Sequence, residues 1–125
     1  MYVIDNARIA PTGLPGIAHR TLASGADGLR SLSVWLQTME PGAATPPHRH
    51  DCDEVVVVLA GRGELRVAGE VQAIGADQTI VLPAGVDHQI VNSGDEPLRT
   101  LAAFAATPVG VALPDGTPFP LPWAS

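Results

Sequence analysis

Apolar residues occur along this chain in short runs, which glycine and proline separate at close intervals. The segment 29–39, LRSLSVWLQTM, alternates between two faces, and a period of two residues indicates a strand. Its faces are formed by Leu32, Val34 and Leu36, and by Ser31, Ser33, Trp35 and Gln37. Runs of this length are too short for ordinary helices, and their spacing is typical of an all-β sandwich or barrel.

Further strands are predicted through the middle of the chain. The run EVVVVLAG at 54–61 is apolar on both faces, which predicts a central strand that is covered on both sides. Two short segments surround Gly69, and a glycine at that place predicts a tight hairpin turn between them. The remaining predicted strands, separated by turn-forming residues, are 78–83, 88–92 and 98–105.

The two ends of the chain differ from this middle part. Residues 1–28 hold short apolar pieces broken by glycine and proline, which predicts an arm with one or two added strands. Residues 108–125 contain five prolines, and proline at that density prevents a helix or a central strand. We expect an ordered, extended tail that packs Phe119 and Trp123 against the core or a partner subunit. No repeat divides the chain, so residues 1–125 are expected to form one domain.

Composition sets the class of protein. With 125 residues the chain is long enough to bury a core without disulfides, and its single cysteine, Cys52, cannot form an internal one. The N-terminal residues lack the basic patch and apolar run of a signal peptide, and no segment is apolar enough to span a membrane. We therefore expect a soluble, cytoplasmic protein without a membrane partner.

The charged residues limit which partners the protein can bind and which reactions it can catalyse. Seven basic residues against thirteen acidic ones give a net charge of −6, and the arginines are scattered, which argues against nucleic acid as a partner. The chain has no lysine, which excludes Schiff-base chemistry, pyridoxal phosphate bound through lysine and a phosphate-binding P-loop. It also contains neither a Gly-x-Ser-x-Gly nor a Gly-x-Gly-x-x-Gly motif.

Metal-binding residue types are concentrated in the stretch PPHRHDCDEVVVV, residues 46–58. On an extended strand His48 and His50 point to the same side, with Cα atoms roughly 6.6 Å apart at ~3.3 Å per residue. A short turn follows, and Glu54 then begins the next strand, from which its carboxylate can reach the same point. His88, after the turn PAGVD, offers a third imidazole. Three nitrogens and one carboxylate suit Mn, Fe, Co, Ni or Zn better than Ca or Mg.

The spacing of these residues resembles that of the cupin superfamily. The first cupin motif is matched at every position, by Gly42, His48, His50, Glu54 and Gly61. The second is matched by Pro83, Gly85, His88 and Asn92, although its leading glycine falls on Asp77, in a turn. The resemblance covers about residues 29–107 and implies a small jelly-roll (double-stranded β-helix) barrel. It also implies one divalent transition metal ion (Mn, Fe, Ni, Co or Zn) with four ligands, namely His48, His50, Glu54 and His88.

Other polar residues near these motifs have simpler interpretations. Asp51 and Asp53 are expected to form the turn before the strand that Glu54 begins, and Cys52 between them is interpreted as a loop residue. Its closeness to the ligands leaves a redox or ligand role for Cys52 open. His19 has no motif around it and is expected to be structural or exposed. The motif glycines are expected at tight turns rather than in contact with substrate.

Four protein ligands on an ion that prefers six leave two adjacent positions for a chelating substrate, or for a substrate beside dioxygen. We therefore expect a metal-dependent enzyme that acts on a small oxygen-rich organic molecule by dioxygenase or isomerase/lyase chemistry. The alternative is a non-catalytic module that binds a small molecule or a sugar, because a fold does not select the function. No catalytic residue is identified, and polarity alone nominates five pocket residues: Trp35, Gln37, Gln72, Gln78 and Gln89.

The predicted central strand also bears on oligomeric state. Val55, Val57 and Leu59 form an apolar outer row that needs cover. Small cupins commonly pair through their sheets, so the resemblance implies a homodimer.

Overall fold

The computed structural model describes residues 2–125. Within them the chain forms two short 3-10 helices, Asn6–Arg8 and Gly25–Asp27. It also forms nine strands: β1 (Thr12–Leu14), β2 (Ile17–Ala23), β3 (Ser33–Met39), β4 (Glu54–Ala60), β5 (Arg62–Val67), β6 (Glu70–Gly75), β7 (Gln78–Leu82), β8 (His88–Val91) and β9 (Leu98–Phe104).

The strands form two antiparallel sheets that share one buried core. The larger sheet has the order β1-β2-β3-β9-β4-β7, and the smaller has the order β6-β5-β8. The segment before β4 extends the smaller sheet, because Ala44 bridges to Val91 and His48 bridges to His88. One cluster of buried side chains joins the two sheets, with Val56 and Phe104 from the larger and Leu65 from the smaller. The predicted all-β jelly-roll architecture is confirmed.

The core decides which face of β3 is inside. Trp35 is 5% exposed and Met39 is 1% exposed, whereas Val34 and Leu36, on the opposite face, are only half-buried. Both faces of this strand carry apolar residues, so alternation by itself does not show which one faces the core. The inner face is the one that brings Trp35 next to Phe104 of β9, with ring centroids 4.2 Å apart.

Strand β4 is central in its sheet, as predicted, because it pairs with β7 on one side and β9 on the other. The expectation that it is covered on both faces is wrong for a single chain. Val56 and Val58 are buried, but Val55 is 39% exposed and Leu59 is 45% exposed. The smaller sheet packs over one face only, and no layer of residues 2–125 covers the other face.

Turn geometry explains two positions in the cupin motifs. Gly61 has a φ of 85°, and a Cβ there would lie 2.4 Å from the carbonyl oxygen of Pro97, so only glycine fits. Asp77, at the place where the second motif has glycine, has a φ of 68°. Aspartate is among the side chains that tolerate this left-handed region, so the departure from the motif preserves the turn. The predicted hairpin is also present, with Ala68 and Gly69 at positive φ in its two-residue turn.

The ends of the chain pack onto the jelly roll. At the N-terminal end β1 and β2 continue the larger sheet beyond β3, where an arm with one or two added strands was predicted. At the C-terminal end Ala112 bridges to Arg49, Val109 is buried, and Trp123 packs against the core. The predicted extended tail therefore lies on its own chain. Among the described residues, no helix has the length and apolar character needed to cross a membrane.

Candidate metal centre

Three imidazoles meet between the two sheets. His48 and His50 lie on the extended segment that bridges to β8, and His88 is the first residue of β8. One ring nitrogen of each lies within 4.8 Å of the other two. Glu54, the first residue of β4, places Oε1 3.4 Å from His50 Nε2 and 3.3 Å from His88 Nε2. The structure therefore brings the four predicted ligand residues to one point.

The second nitrogen of each ring fixes its tautomer. Every Nδ1 lies within hydrogen-bond distance of a backbone carbonyl oxygen, and a carbonyl only accepts, so Nδ1 carries the hydrogen. The distances are 2.6 Å from His48 to Pro46, 2.8 Å from His50 to Gly110 and 2.9 Å from His88 to Val86. Each neutral ring therefore keeps a lone pair on Nε2, which is the state that a metal ligand requires.

The environment of Glu54 shows that these residues fit a metal ion. Its carboxylate is buried, and Oε1 has no hydrogen-bond partner among residues 2–125. A buried carboxylate oxygen without a partner is costly, and the imidazole nitrogens beside it are acceptors like itself. Convergent nitrogen lone pairs with one carboxylate oxygen form the donor set of a divalent transition metal ion, and the residues fit such an ion.

Burial and charge set the protonation of the cluster. Burial lowers the pKa of His48 to about 4, so this imidazole is neutral near pH 7. Burial is also the largest cause of the lowered pKa of His50. For His88 burial is again the largest single effect and acts downward, but the negative charge of the Glu54 carboxylate, 3.3 Å from Nε2, together with smaller upward effects, outweighs it and raises the pKa. Glu54 thus attracts positive charge to the point where the three rings meet.

These four residues line a cavity whose other walls are largely apolar. The titratable groups in its lining are His48, His50, Glu54 and His88 themselves, and the other polar side chains are those of Gln37, Thr45 and Thr100. Aromatic residues form much of the rest, namely Trp35, Phe104, Phe119 and Trp123. The free space of about 60 Å³ holds an ion with a few water-sized ligands.

The C-terminal tail forms one side of this cavity. Trp123 stacks on His19, with ring centroids 3.8 Å apart, and stands perpendicular to Trp35 at 5.4 Å. The indole Nε1 atoms of Trp35 and Trp123 are both buried and have no acceptor within the described part of the chain. The predicted packing of Trp123 therefore places it in the cavity wall rather than on the outer surface.

His19 is buried and structural, one of the two outcomes expected for it. The hydroxyl of Thr21 donates to the carbonyl oxygen of Ala124 at 2.6 Å. Because its hydrogen is engaged there, the same hydroxyl oxygen accepts from Nε2–H of His19 at 2.7 Å. Nδ1 of His19 therefore accepts from the amide nitrogen of Gln37, at 3.0 Å. Burial lowers the pKa of His19 to about 4, so the ring that supports Trp123 is neutral.

Several other polar residues lie away from the cavity. Cys52 is half-buried against the core outside the cavity lining, and burial raises its pKa, which keeps the thiol protonated. Asp53 accepts the backbone N–H of Ala84, as a turn residue does. Of the five residues nominated by polarity, Trp35 and Gln37 line the cavity, whereas the other three do not: Gln72, Gln78 and Gln89.

Sequence reasoning missed the carbonyl oxygen of Gly110, which accepts from the predicted ligand residue His50. A backbone acceptor has no side-chain identity, so no motif could have found it. It also missed Phe104, which lies 4.9 Å from His50 between ring centroids. The alternation of β9 indicates a strand but does not show that Phe104 faces the imidazoles.

Comparison with known proteins supports this description. The cupin domain model matches residues 35–104. Auxin-binding protein 1 of Arabidopsis thaliana is 38% identical over 109 residues, covering 79% of this chain and 55% of that protein. Polyketide synthase CurC of Streptomyces cyaneus is 34% identical over 99 residues, covering 78% of this chain and 64% of that protein. The structure of the polyketide cyclase RemF from Streptomyces resistomycificus aligns with a TM-score of 0.75 at 24% identity, covering 87% of this chain and 83% of that one.

The likeness to RemF concerns the fold alone, since the identity is low. The chain spans 55% to 64% of the length of Auxin-binding protein 1 and CurC. The family model covers more than half of this chain and includes the four predicted ligand residues, His48, His50, Glu54 and His88. On these grounds the chain belongs to the cupin domain family.

Proposed function

We propose that this chain holds one divalent transition metal ion at His48, His50, Glu54 and His88 and binds a small apolar molecule there through oxygen atoms of that molecule. The observation that carries the proposal is the lining of the cavity. Its titratable groups all face one point, and the rest of its wall is mostly aromatic and aliphatic. A ligand that fits has a flat apolar body and a carboxylate or a chelating pair of oxygens at one end.

The parts of the site have separate tasks. A bound divalent ion supplies Lewis-acid attraction for the oxygens of the ligand. Trp35 and Phe104 offer apolar surface for its body, and Gln37 and Thr100 offer the few polar contacts that orient it. The auxin-binding relative, by its name, supports this class of ligand. The cavity thus favours a more apolar ligand than the oxygen-rich molecule expected from sequence.

An enzymatic role is the second candidate. The similarity to CurC, a polyketide synthase by its name, favours an oxygenated carbon chain as the substrate of the isomerase/lyase or dioxygenase chemistry expected from the sequence. No titratable residue of the lining is independent of the metal cluster, so any proton would be moved by Glu54 or by solvent. This lack of a separate acid or base favours binding without turnover over catalysis.

Binding is tested on zinc-loaded protein by calorimetry with 2-naphthoate and its neutral isostere 2-naphthamide. The carboxylate is expected to bind at least tenfold more tightly than the amide, and only when zinc is present. The matched control is a His88→Ala chain treated with the same zinc, which is expected to lose this preference. Equal affinity of the zinc-loaded and zinc-free proteins for 2-naphthoate would overturn the proposal.

Turnover is tested with a 1,3-diketone, 1-phenyl-1,3-butanedione, in the presence of Zn²⁺ or of Fe²⁺ with oxygen, and products are followed by mass spectrometry. Products that require His48 and His50 would favour the enzyme. Turnover that survives loss of both histidines would exclude a role for this centre. Stable binding of the unchanged diketone would favour the binding module.

We also propose an oligomeric state and a cellular location for the protein. The exposed apolar face that includes Val55 and Leu59 supports a homodimer formed through the larger sheet. The unpaired thiol of Cys52 supports a cytoplasmic location, where cysteines stay reduced.

A further inference from the structure

We propose that the C-terminal segment, residues 108–125, is a positioning element of the metal centre, so that metal binding and closure of this segment over the cavity are coupled. The inference rests on the metal site of the proposed function and adds a partner within the chain. It assigns a task to the part of the chain that lies outside both cupin motifs. Four sets of contacts carry it.

The first contact distinguishes His50 from the other two imidazoles. His48 and His88 donate Nδ1–H to carbonyl oxygens only two residues before them, so their orientation is fixed locally. His50 donates to the carbonyl oxygen of Gly110, 60 residues further along the chain, at 2.8 Å. The orientation of one metal ligand therefore depends on where the C-terminal segment lies.

The second contact is made by Arg49, which lies between the ligand residues His48 and His50 in the sequence. The backbone of Arg49 pairs with Ala112 in both directions, with N···O distances of 2.8 and 3.0 Å. The guanidinium group of Arg49 donates to the carbonyl oxygen of Pro114 at 3.2 Å and to Asp87 at 3.3 Å. Asp87 directly precedes the ligand residue His88. The segment is thus held directly to the piece of chain that carries His48 and His50, and through Arg49 to the residue before His88.

The third set of contacts holds the far end of the segment across the cavity. Trp123 stacks on His19, and Ala124 accepts the hydroxyl hydrogen of Thr21. The carbonyl oxygen of Ser125 accepts from the hydroxyl of Thr107 at 2.8 Å. Closure at this end places Trp123 in the cavity wall.

The fourth set joins the two ends of the segment. The N–H of Phe119 donates to the carbonyl oxygen of Val111 at 2.9 Å, and Val109 N–H donates to the hydroxyl of Ser125 at 2.9 Å. A shift at Gly110 is therefore transmitted to Trp123 through a short chain of hydrogen bonds. The segment moves as a connected piece rather than as two independent contacts.

Metal binding and closure of the C-terminal segment favour each other because both depend on the orientation of the His50 ring. An ion that fixes Nε2 of His50 also fixes the direction of its Nδ1–H, and that direction suits the closed segment. Any gain in closure on metal binding must appear as an equal gain in metal affinity on closure. Outer partners of metal-ligating histidines are typically worth about 10- to 100-fold in metal affinity.

The direct test uses the whole chain and the metal alone. Amide hydrogen exchange is measured with and without Zn²⁺ for the segment, at Ala112, Leu113 and Phe119, and for the β5–β6 hairpin as an internal control. Zinc is expected to slow exchange in the segment at least fivefold and to leave the hairpin unchanged. Zinc uptake with unchanged exchange in the segment would overturn the coupling but leave the metal site intact. A chain that takes up no zinc would overturn both.

Substitution of Arg49 separates coupling from a simple effect of charge on the bound ion. Arg49→Met removes a positive charge near the ion, so electrostatics alone predicts tighter zinc binding. Coupling predicts the opposite, about tenfold weaker binding in competition with a chelator, because the bonds that join Pro114 of the segment and Asp87 through Arg49 are lost. Arg66→Met, which removes an equally charged exposed side chain on β5, is the matched control and is expected to change zinc affinity less than twofold. Zinc binding by Arg49→Met that is equal to or tighter than that of the wild type contradicts the inference. If this variant does not fold, the hydrogen-exchange measurement on the wild type decides.

Discussion

His19 and Trp123 stack face to face, with ring centroids 3.8 Å apart and ring planes inclined by 14°. This contact joins the second strand to the C-terminal tail. His19 is able to form it because both of its ring nitrogens are hydrogen-bonded and the ring is neutral. The stack fixes one wall of the cavity that contains the predicted metal-binding residues.

Neutral His19 predicts a specific dependence of stability on pH. Its pKa is lowered to about 4 from an ordinary 6.5, so the unfolded chain takes up the proton first as the pH falls. The contribution of this group is complete above pH 6.5 and is lost as the pH falls toward 4, by about 3 kcal/mol. Urea unfolding of the zinc-free protein should show this loss relative to His19→Gln.

The comparison with His19→Gln isolates the group, because the metal-binding histidines titrate in both proteins and cancel. The free-energy difference between the two proteins should shrink by about 3 kcal/mol between pH 7 and pH 4. A difference that stays constant over this range would show that His19 is not neutral for the reason given.

Trp123 is expected to control access to the cavity. Trp123→Ala opens the wall, so both association and dissociation of 2-naphthoate on zinc-loaded protein should become faster. Affinity should fall about three- to tenfold, because the apolar surface of the indole is lost. Stopped-flow fluorescence of the ligand measures both rates, and Trp123→Phe, which keeps an aromatic ring, should lie close to the wild type.

Removal of residues 114–125 tests the same wall and keeps in the chain the residues of two other contacts, Gly110 with His50 and Ala112 with Arg49. Ligand affinity should fall as in Trp123→Ala, while one equivalent of zinc still binds at saturation. Affinity that is unchanged by the truncation would mean that the tail only packs against the core.

Glu54 is expected to be essential for metal binding. Glu54→Gln keeps the shape of the side chain but removes the charge that attracts an ion to the three imidazoles. Zinc affinity in chelator competition should fall at least 100-fold, whereas Glu64→Gln, which removes an equal charge on β5, should leave it unchanged. Comparable losses in both variants would point to net charge rather than coordination.

Zinc is also expected to stabilise the fold. A ligand that binds only the folded state adds about 2.7 kcal/mol at 100 times its dissociation constant. Thermal unfolding with zinc and with a chelator should show this gain for the wild type and not for His50→Ala. An equal response of both proteins would place the zinc elsewhere.

The outer face of the larger sheet is expected to form a dimer. Strand register aligns Val81, Val55, Ala103 and Val34 in one apolar row across four strands. Sedimentation at micromolar concentration should show a dimer that Val55→Asp dissociates. Val71→Asp, on an exposed valine of β6 in the other sheet, should remain dimeric. A wild-type monomer would contradict the prediction.

Local sequence accounts for much of the fold because its causes are local. Alternation with a period of two residues indicates β3, an unbroken apolar run indicates β4, and Gly61 and Gly69 stand where the backbone takes positive φ. The motif spacing also gave the four residues that the structure brings to one point, since His48 and His50 share a strand face and Glu54 follows after a short turn. The prediction of His88 as a fourth ligand residue depended on the second cupin motif, because His88 is far from the other three in the sequence.

The sequence by itself therefore determined the strands, the turns, the family and which residue types could bind a metal ion. Only the tertiary structure decided that Trp35 faces the core, that Gly110 orients His50 and that Trp123 stacks on His19. Those contacts join residues far apart in the chain, and one of them uses a backbone carbonyl, which every residue possesses. Their energy depends on how two sheets and a tail meet, and no periodicity or spacing in the sequence encodes that arrangement.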